Sequence, residues 1–318
     1  MQITAAIIRQ FFPGRFQLGL ITSLLVLSLG CTSAHAQTAK ASIEVPFEFV
    51  HNQIVVQVKI DGKGPFNMLI DTDTDPSAID AATAQTLGIS VGSKGEIANG
   101  GGTEKNTVYP TRFTVDLGGV TAKDVAAATI DLTKISKRIE RPIQGVLGFS
   151  FLKDRIIQID YPKAKLRFFA ASPYPRIELT PNTVNIIAFP FRREDGEVMI
   201  DSVFINNEKM RATLDTGSSG TFSLTPEAVA LLGLVEPAQD GKVQTSVGYN
   251  GEYESKSAVL KSVRLGRYAA ESVPATLWPS NSGHDKKRFQ VNIGNGFFQD
   301  FILTFDFPKK IVVLERVD

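Results

Sequence analysis

The sequence predicts an all-β protein that consists of two copies of one lobe, with a cleft between the copies. An apolar strand that runs into Asp-Thr occurs twice, at residues 67–74 and at residues 211–218, and it supplies Asp71 and Asp215. Short runs of alternating apolar and polar residues surround both copies and are separated by Gly and Asn turn signals, as expected for β-strands. The repeat is far longer than the roughly 20–50 residues of a solenoid unit, so it indicates a duplicated domain.

Further segments recur in the same order after each Asp-Thr. A short helix is predicted in each lobe, at residues 77–87 and at residues 225–232, and each is stopped by a Gly. The second helix has the stronger start signal, because Thr225 can cap it and Pro226 takes its first position. Two later pairs of segments also match, 148–154 with 294–300 and 157–163 with 303–309.

The domain boundaries follow from this repeat and from a Pro-rich break after residue 171. We predict a signal peptide over residues 1–36, an N-terminal lobe over 37–172, a linker over 173–183 and a C-terminal lobe over 184–318.

The N-terminal segment has the pattern of an export signal. Arg9 and Arg15 precede roughly a dozen mostly apolar residues, and Ala34-His35-Ala36 offers a small-x-small cleavage site. The apolar run is shorter than the about 20 residues that span a bilayer, so no stable transmembrane span is predicted. We therefore expect a periplasmic or secreted protein, with lipid attachment at Cys31 as the alternative.

Composition narrows the classes of function. Lys and Arg number 34 against 33 Asp and Glu, and no basic stretch with interleaved aromatic residues occurs, so a nucleic-acid partner is not expected. Cys31 is the only cysteine and would be lost with the signal, which excludes a Cys nucleophile. His51 and His284 are too scattered to indicate a metal site, and we expect neither metal nor cofactor.

Asp71 and Asp215 are the candidate catalytic residues. Two carboxylates that share one proton can hold and activate a water, because like charges at short distance cannot both ionise easily. Each Asp needs a tight turn at a strand end, beside a two-fold axis. Residues that could support the pair follow each Asp directly: Thr72 and Thr216 could lock the two turns together, Thr74 and Ser218 could donate to the outer carboxylate oxygens, and Gly217 permits close backbone approach.

These motifs resemble the retropepsin-like and pepsin-like aspartic protease families. Residues 214–219, Leu-Asp-Thr-Gly-Ser-Ser, look like their active-site motif, and residues 146–148 and 292–294 are similar to the hydrophobic-hydrophobic-Gly element behind it. The likeness is greatest to exported bacterial aspartyl proteases with two retropepsin-like lobes in one chain. It implies a closed β-barrel in each lobe, a peptide or protein substrate, and a monomer whose lobes are related by a pseudo-two-fold axis.

The resemblance also implies a β-hairpin flap over the cleft. Its candidate segments are residues 99–109 in the first lobe and residues 247–253 in the second. The candidate substrate-binding residues of the flap are Gly100, Gly101, Gly102 and Tyr249. A phosphate-binding role for the three glycines is less well supported, since no Lys-Ser/Thr and no helix pattern follow them.

Lobe one departs from the family at Asp73, which stands where Gly217 stands in lobe two. Two functions from different classes follow. The chain could be an aspartic endopeptidase that uses the Asp71/Asp215 dyad, or a peptide-binding pseudoprotease of the cell envelope that Asp73 has impaired; an envelope assembly factor is a third candidate. If Asp73 is a tolerated defect, Asp73→Gly should raise activity; if Asp73 is an adaptation with a partner of its own, the same change should lower it.

Overall fold

The computed structural model describes residues 42–174, 186–194, 196–234, 241–282 and 287–317. The predicted signal peptide with Cys31, most of the predicted linker, and His284 lie outside the described residues. Within the described ranges, no helix combines the length and the apolar character that a membrane span requires.

The first half of the chain forms eleven strands and three short helices. The strands are β1 (Ser42–Pro46), β2 (Glu48–Val50), β3 (Gln53–Ile60), β4 (Lys63–Ile70), β5 (Ser77–Asp80), β6 (Glu96–Ile97), β7 (Thr107–Leu117), β8 (Val120–Ile130), β9 (Gly145–Leu147), β10 (Ile156–Asp160) and β11 (Lys165–Phe169). The helices are α1 (Ala81–Leu87), α2 (Thr133–Ile139) and α3 (Phe149–Leu152).

The second half repeats this plan. Its described strands are β12 (Ile186–Pro190), β13 (Arg192–Glu194), β14 (Glu197–Ile205), β15 (Glu208–Asp215), β16 (Phe222–Leu224), β17 (Val243–Gly248), β18 (Gly251–Leu265), β19 (Tyr268–Leu277), β20 (Val291–Gly294), β21 (Phe301–Asp306) and β22 (Ile311–Arg316). Its described helices are α4 (Pro226–Leu231) and α5 (Asn295–Phe298).

Each lobe is a closed barrel of six strands. In lobe one the strand order is β3-β4-β9-β5-β8-β7, and β7 pairs again with β3. In lobe two the order is β14-β15-β20-β16-β19-β18, and β18 returns to β14. The barrels close around apolar side chains, as β3 illustrates: Val56, Val58 and Ile60 are buried while Gln57 and Lys59 between them are exposed. The predicted all-β fold of two retropepsin-like lobes is confirmed.

A third sheet joins the lobes. Its six strands run in the order β1-β11-β10-β21-β22-β12, and β10 of lobe one pairs antiparallel with β21 of lobe two at its centre. These central strands are the duplicated Ile- and Phe-rich segments of the sequence. Because their apolar side chains belong to one core cluster with both barrels, the positions of the lobes are coupled by burial.

Helix α1 starts later than the sequence predicts, and helix α4 ends one residue before the predicted residue 232. Residues 77–80 form β5, so α1 begins only after Asp80, whose side chain caps it, and it ends at Gly88 with φ 71°. Helix α4 is capped by Thr225 with Pro226 at its first position, as the sequence indicates. Pairing of 77–80 with β8 and β9 outweighs their helical propensity, which is a weak determinant on its own.

Candidate active site

Each candidate Asp stands where a buried barrel strand ends. Asp71 follows β4, whose last residue Ile70 pairs with Leu147 of β9, and Asp215 is the last residue of β15 beside Gly294 of β20. Both parallel pairs place the Asp at the carboxyl end of its strand. Asp71 is 8% exposed, so its carboxyl group lies largely out of water.

Two threonines bind the turns to each other across the lobes. The Thr72 N–H donates to Thr216 Oγ1 and the Thr216 N–H donates to Thr72 Oγ1, both at 3.1 Å. Each hydroxyl then donates to the chain before the opposite Asp, Thr72 to Leu214 O at 2.7 Å and Thr216 to Ile70 O at 3.0 Å. This reciprocal pattern is what a two-fold relation between the lobes produces, and it sets the two Asp turns face to face.

Gly217 packs against the carboxyl group of Asp71. A Cβ built on Gly217 would lie 2.2 Å from Asp71 Oδ2, a distance at which no side chain fits. The Asp71 carboxylate therefore lies directly on the backbone of the turn that carries Asp215. Here the requirement for Gly comes from close approach across the lobes rather than from an unusual backbone angle.

Asp71 accepts three hydrogen bonds from its own turn. The N–H groups of Asp73 and Thr74 donate to Oδ1 at 2.8 and 3.0 Å, and the Thr74 hydroxyl donates to Oδ2 at 2.6 Å. The last of these is the contact that the sequence predicts for Thr74. Hydrogen bonds of this kind favour the ionised carboxylate.

The carboxyl group of Asp215 has different hydrogen-bond donors from that of Asp71. The Gly217 N–H donates to Oδ1 at 2.8 Å, but Oδ2 accepts from the side-chain amide of Asn292 at 2.6 Å. The sequence assigns this position to Ser218, whose N–H donates to the main-chain oxygen of Asp215 at 3.2 Å and also lowers the pKa of the Asp215 carboxyl group. Residues 292–294 lie beside the Asp215 strand, and at the first of them Asn292 points a donor at Asp215 where lobe one has Val146.

The protonation of the pair is asymmetric. Burial, followed by the charge of Asp71, raises the pKa of Asp215 to about 7. Burial also raises the pKa of Asp71, while the hydrogen bonds from Thr74 and from the N–H of Asp73 oppose that rise. Because the charge of Arg193 lowers the pKa of Asp71 whereas the charge of Asp71 raises that of Asp215, we assign the proton of the pair to Asp215.

Asp73 turns its side chain to lobe two. Its Oδ1 accepts from the N–H of Val198 at 2.9 Å, and its Oδ2 is hydrogen-bonded to the hydroxyl of Thr213. Arg193 approaches the same turn, donating to Thr72 O at 2.9 Å and pairing with Asp75 at 3.2 Å. Asp73 thus has partners of its own in lobe two.

The hairpin β17–β18 of lobe two forms the roof of the site. Its turn residue Tyr249 has its hydroxyl 2.8 Å from Thr74 Oγ1. Because the Thr74 hydroxyl donates to Asp71, Tyr249 is the donor in this contact, and the chain of hydrogen bonds runs from the roof to the candidate dyad. The sequence placed Tyr249 in a flap, and the structure puts it over Asp71.

The glycine loop of lobe one rests on the same turn. Residues 98–106 connect β6 to β7, and the turn residue Asn250 donates from its N–H to Gly101 O at 2.9 Å and from its amide to Ala98 O at 2.7 Å. A Cβ on Gly102, whose φ is +119°, would lie 2.0 Å from Asn250 O. Gly100 lies against the Tyr249 ring. The two candidate flap segments therefore meet above the cleft.

A cleft of about 570 Å³ lies beneath this roof. Asp71, Asp73 and Asp215 line it together with the glycine loop and Tyr249. Gln53 and Glu197 occupy the same position in their lobes, the first residue of β3 and of β14, and both line the cleft. Gln53 donates to Gly217 O at 2.8 Å, and Glu197 pairs with Lys287 at 2.7 Å.

Sequence reasoning missed Asn292, Arg193 and Glu197. Asn292 carries a signal, since an amide stands where the repeat has Val in lobe one, at a strand end beside the Asp turn. Arg193 and Glu197 reach the site from strands β13 and β14, and nothing in their local sequence points to it. In the part of the chain that the structure describes, no group of three His, Cys, Asp or Glu side chains could hold a metal ion.

Two barrels that each deliver one Asp-Thr turn to a shared cleft define the two-lobed class of aspartic proteases. The chain belongs to the aspartyl protease family, whose model matches residues 56–151 and 202–304, one match in each lobe. The predicted family is thereby confirmed.

Two solved structures are similar to the chain. A retropepsin-like aspartic protease from Rickettsia conorii is 22% identical, covering 41% of this chain and 92% of its own, with a TM-score of 0.33. Basic 7S globulin from soybean is 12% identical, covering 87% of this chain and 95% of its own, with a TM-score of 0.48. Among curated proteins, none matches the chain.

Proposed function

We propose that this protein is an aspartic endopeptidase in which Asp71 and Asp215 activate a water molecule. The observation that carries the proposal is the reciprocal bonding of Thr72 and Thr216, which brings both Asp turns to the floor of one cleft. The contact between Gly217 and the Asp71 carboxyl group supports the same arrangement. Membership of the aspartyl protease family supports hydrolysis of peptide bonds.

The hydrogen bonds assign different tasks to the two carboxyl groups. Asp71, with three donors, is the ionised base that takes a proton from the water while the water oxygen attacks the peptide carbonyl carbon. Asp215, whose pKa burial raises to about 7, is protonated in acid and gives its proton to the carbonyl oxygen. As the diol collapses and the C–N bond breaks, Asp71 gives its proton to the leaving amine and Asp215 takes one from a diol hydroxyl, so the two carboxyl groups again share one proton.

The roof supports an extended peptide as the substrate. The glycine loop presents backbone groups above the cleft, and Tyr249 joins the roof to the Asp71 turn through Thr74. A peptide could bond to these groups in the manner of an added strand. A cleft lined by both lobes also favours cleavage within a chain over removal of terminal residues.

The cellular setting and the domain division belong to the same proposal. The basic, apolar and small-residue pattern of residues 1–36 supports export to the periplasm or beyond, with lipid anchoring at Cys31 as the alternative. The duplicated barrels support one monomeric chain whose lobes span residues 37–172 and 184–318.

The test is peptide cleavage by the purified mature protein and by Asp215→Asn. The amide cannot supply the carboxyl proton, so kcat should fall on the order of 10²-fold or more while the fold is kept. Asp300→Asn, which removes an exposed carboxylate after α5, is the matched control and should cleave like the wild type. Undiminished cleavage by folded Asp215→Asn would remove Asp215 from the chemistry, and inert wild type across pH 3–8 would refute the peptidase.

A further inference from the structure

The carboxyl group of Asp73 lies against a hydroxyl group that has two oxygen neighbours. The Thr213 hydroxyl is fully buried and has one hydrogen, but it lies within hydrogen-bonding distance of two oxygens, Asp73 Oδ2 and Val198 O, the latter at 3.3 Å. If Asp73 is ionised, that single hydrogen can serve only one of them. If Asp73 carries a proton on Oδ2, it donates to Thr213, Thr213 donates to Val198 O, and each oxygen has a partner.

The charges around Asp73 also favour the neutral acid. Asp71 and Asp75 stand on its own turn, and Asp215 ends the strand β15 opposite. Burial, followed by the charge of Asp215, raises the pKa of Asp73 well above its ordinary value. Asp73 is only partly exposed in the cleft, and the bonds from Thr213 and Val198 oppose the rise. A carboxyl group in such a place, beside other carboxylates, keeps its proton because ionisation would add a like charge.

The cations of lobe two near this turn are engaged with other groups. Arg193 bonds to Thr72 O and to Asp75, and its guanidinium lies 3.7 Å from the centre of the Phe149 ring. Lys287 pairs with Glu197, the residue before Val198. The charge of Arg193 acts on Asp73 through space. Among the described residues, however, the carboxyl group of Asp73 is hydrogen-bonded to the N–H of Val198 and the hydroxyl of Thr213, and to no cation.

We propose that Asp73 is held as a protonated carboxylic acid that clamps the Asp71 turn to lobe two, and that its ionisation disables the candidate site. Asp73 is a positioning residue, since it reaches the reaction only through Asp71: its N–H donates to Asp71 Oδ1 while its carboxyl group is fastened to Val198 and Thr213. Loss of the proton would break the donation to Thr213 and add a charge beside Asp215. The part of this inference that concerns activity rests on the proposed function.

The effect on stability has a definite sign. An acid whose folded-state pKa lies above its unfolded value of about 3.9 stabilises the fold below that unfolded value, and the stabilisation is lost as the pH rises to the folded-state pKa. Asp73→Asn imitates the protonated acid at every pH, with an amide that donates to Thr213 and an oxygen that accepts from Val198. The unfolding equilibrium constant of the wild type should therefore rise relative to that of Asp73→Asn, by up to about tenfold per pH unit above pH 4.

The experiment is urea unfolding of the wild type, Asp73→Asn and Asp75→Asn at intervals from pH 4 to 9. Asp75→Asn is the matched control, because it removes a more exposed carboxylate from the same turn, and it should not reproduce the rise. A ratio that is independent of pH, or one that falls with pH, would overturn the inference and show that Asp73 is ionised in the folded protein. If Asp73→Asn does not fold, a carbon-13 titration of the Asp73 carboxyl resonance in the wild type shows directly whether Asp73 is protonated in the folded protein.

Activity supplies the second measurement. On the alkaline side, kcat/KM should fall less steeply in Asp73→Asn than in the wild type, because only the ionisation of Asp215 remains, while the acid limb stays where it is. An alkaline side of unchanged steepness would refute the control of activity by Asp73. If the wild type cleaves no peptide, the proposed function fails, whereas the unfolding and carbon-13 experiments still decide whether Asp73 carries a proton.

Discussion

The reciprocal hydrogen bonds of Thr72 and Thr216 allow a quantitative prediction for Thr216→Val. Valine keeps the shape of threonine but removes the oxygen that accepts from the Thr72 N–H and donates to Ile70 O. Thr72 and Ile70 are fully buried, so both main-chain groups would be left without a partner. At about 1–3 kcal/mol for each buried unsatisfied group, the free energy of unfolding should fall by about 2–6 kcal/mol. That is a large part of the about 5–15 kcal/mol that folded proteins have.

Urea unfolding, followed by circular dichroism and extrapolated to water, measures this change. Thr86→Val is the matched control: Thr86 also donates to a main-chain oxygen, that of Ala82, but it lies exposed on α1, where water replaces the lost bond. Its free energy of unfolding should stay within about 0.5 kcal/mol of the wild type. A loss below about 1 kcal/mol in Thr216→Val would refute the reasoning, because it would mean that the reciprocal bonds do not hold the lobes together.

Two further predictions concern the asymmetry of the site. Asn292→Val gives lobe two the residue type of lobe one and removes a donor that lowers the pKa of Asp215. That pKa should therefore rise above about 7, and the alkaline limb of kcat/KM against pH should move to higher pH. A shift to lower pH would contradict the hydrogen bond from Asn292 to Asp215. Gly217→Ala puts a Cβ 2.2 Å from Asp71 Oδ2 and should lower kcat/KM on the order of 10²-fold. The control Gly220→Ala, whose Cβ would have its nearest contact at 3.3 Å, should have little effect. Equal rates in the two variants would refute the close approach of Gly217 to Asp71.

The sequence allowed Asp73→Gly either to raise or to lower activity, and the contacts of Asp73 favour a decrease. Glycine would remove the acceptor for the Val198 N–H and the partner of the Thr213 hydroxyl, and both lie in the core of lobe two. We therefore expect Asp73→Gly to lower stability and activity, as for an adaptation with a partner of its own. A more active Asp73→Gly would return Asp73 to the status of a tolerated defect.

The sequence by itself determined the architecture, because duplication leaves a trace that needs no coordinates. Two Asp-Thr turns, each at the end of an apolar strand and each followed by the same ordered segments, require two similar lobes and one Asp from each. The threonines after each Asp were also predictable, since a hydroxyl at that place can serve the opposite turn only across a two-fold axis.

Tertiary structure alone decided what the residues that differ between the two halves contact. Asn292 contacts Asp215, and Asp73 contacts Val198 and Thr213, through pairs of residues far apart in the chain. Local sequence carries no record of such pairs, because a side chain's partner depends on which strands the barrel brings together. The repeat predicts what the lobes share, and the protonation of the site depends on the residues at which they diverge.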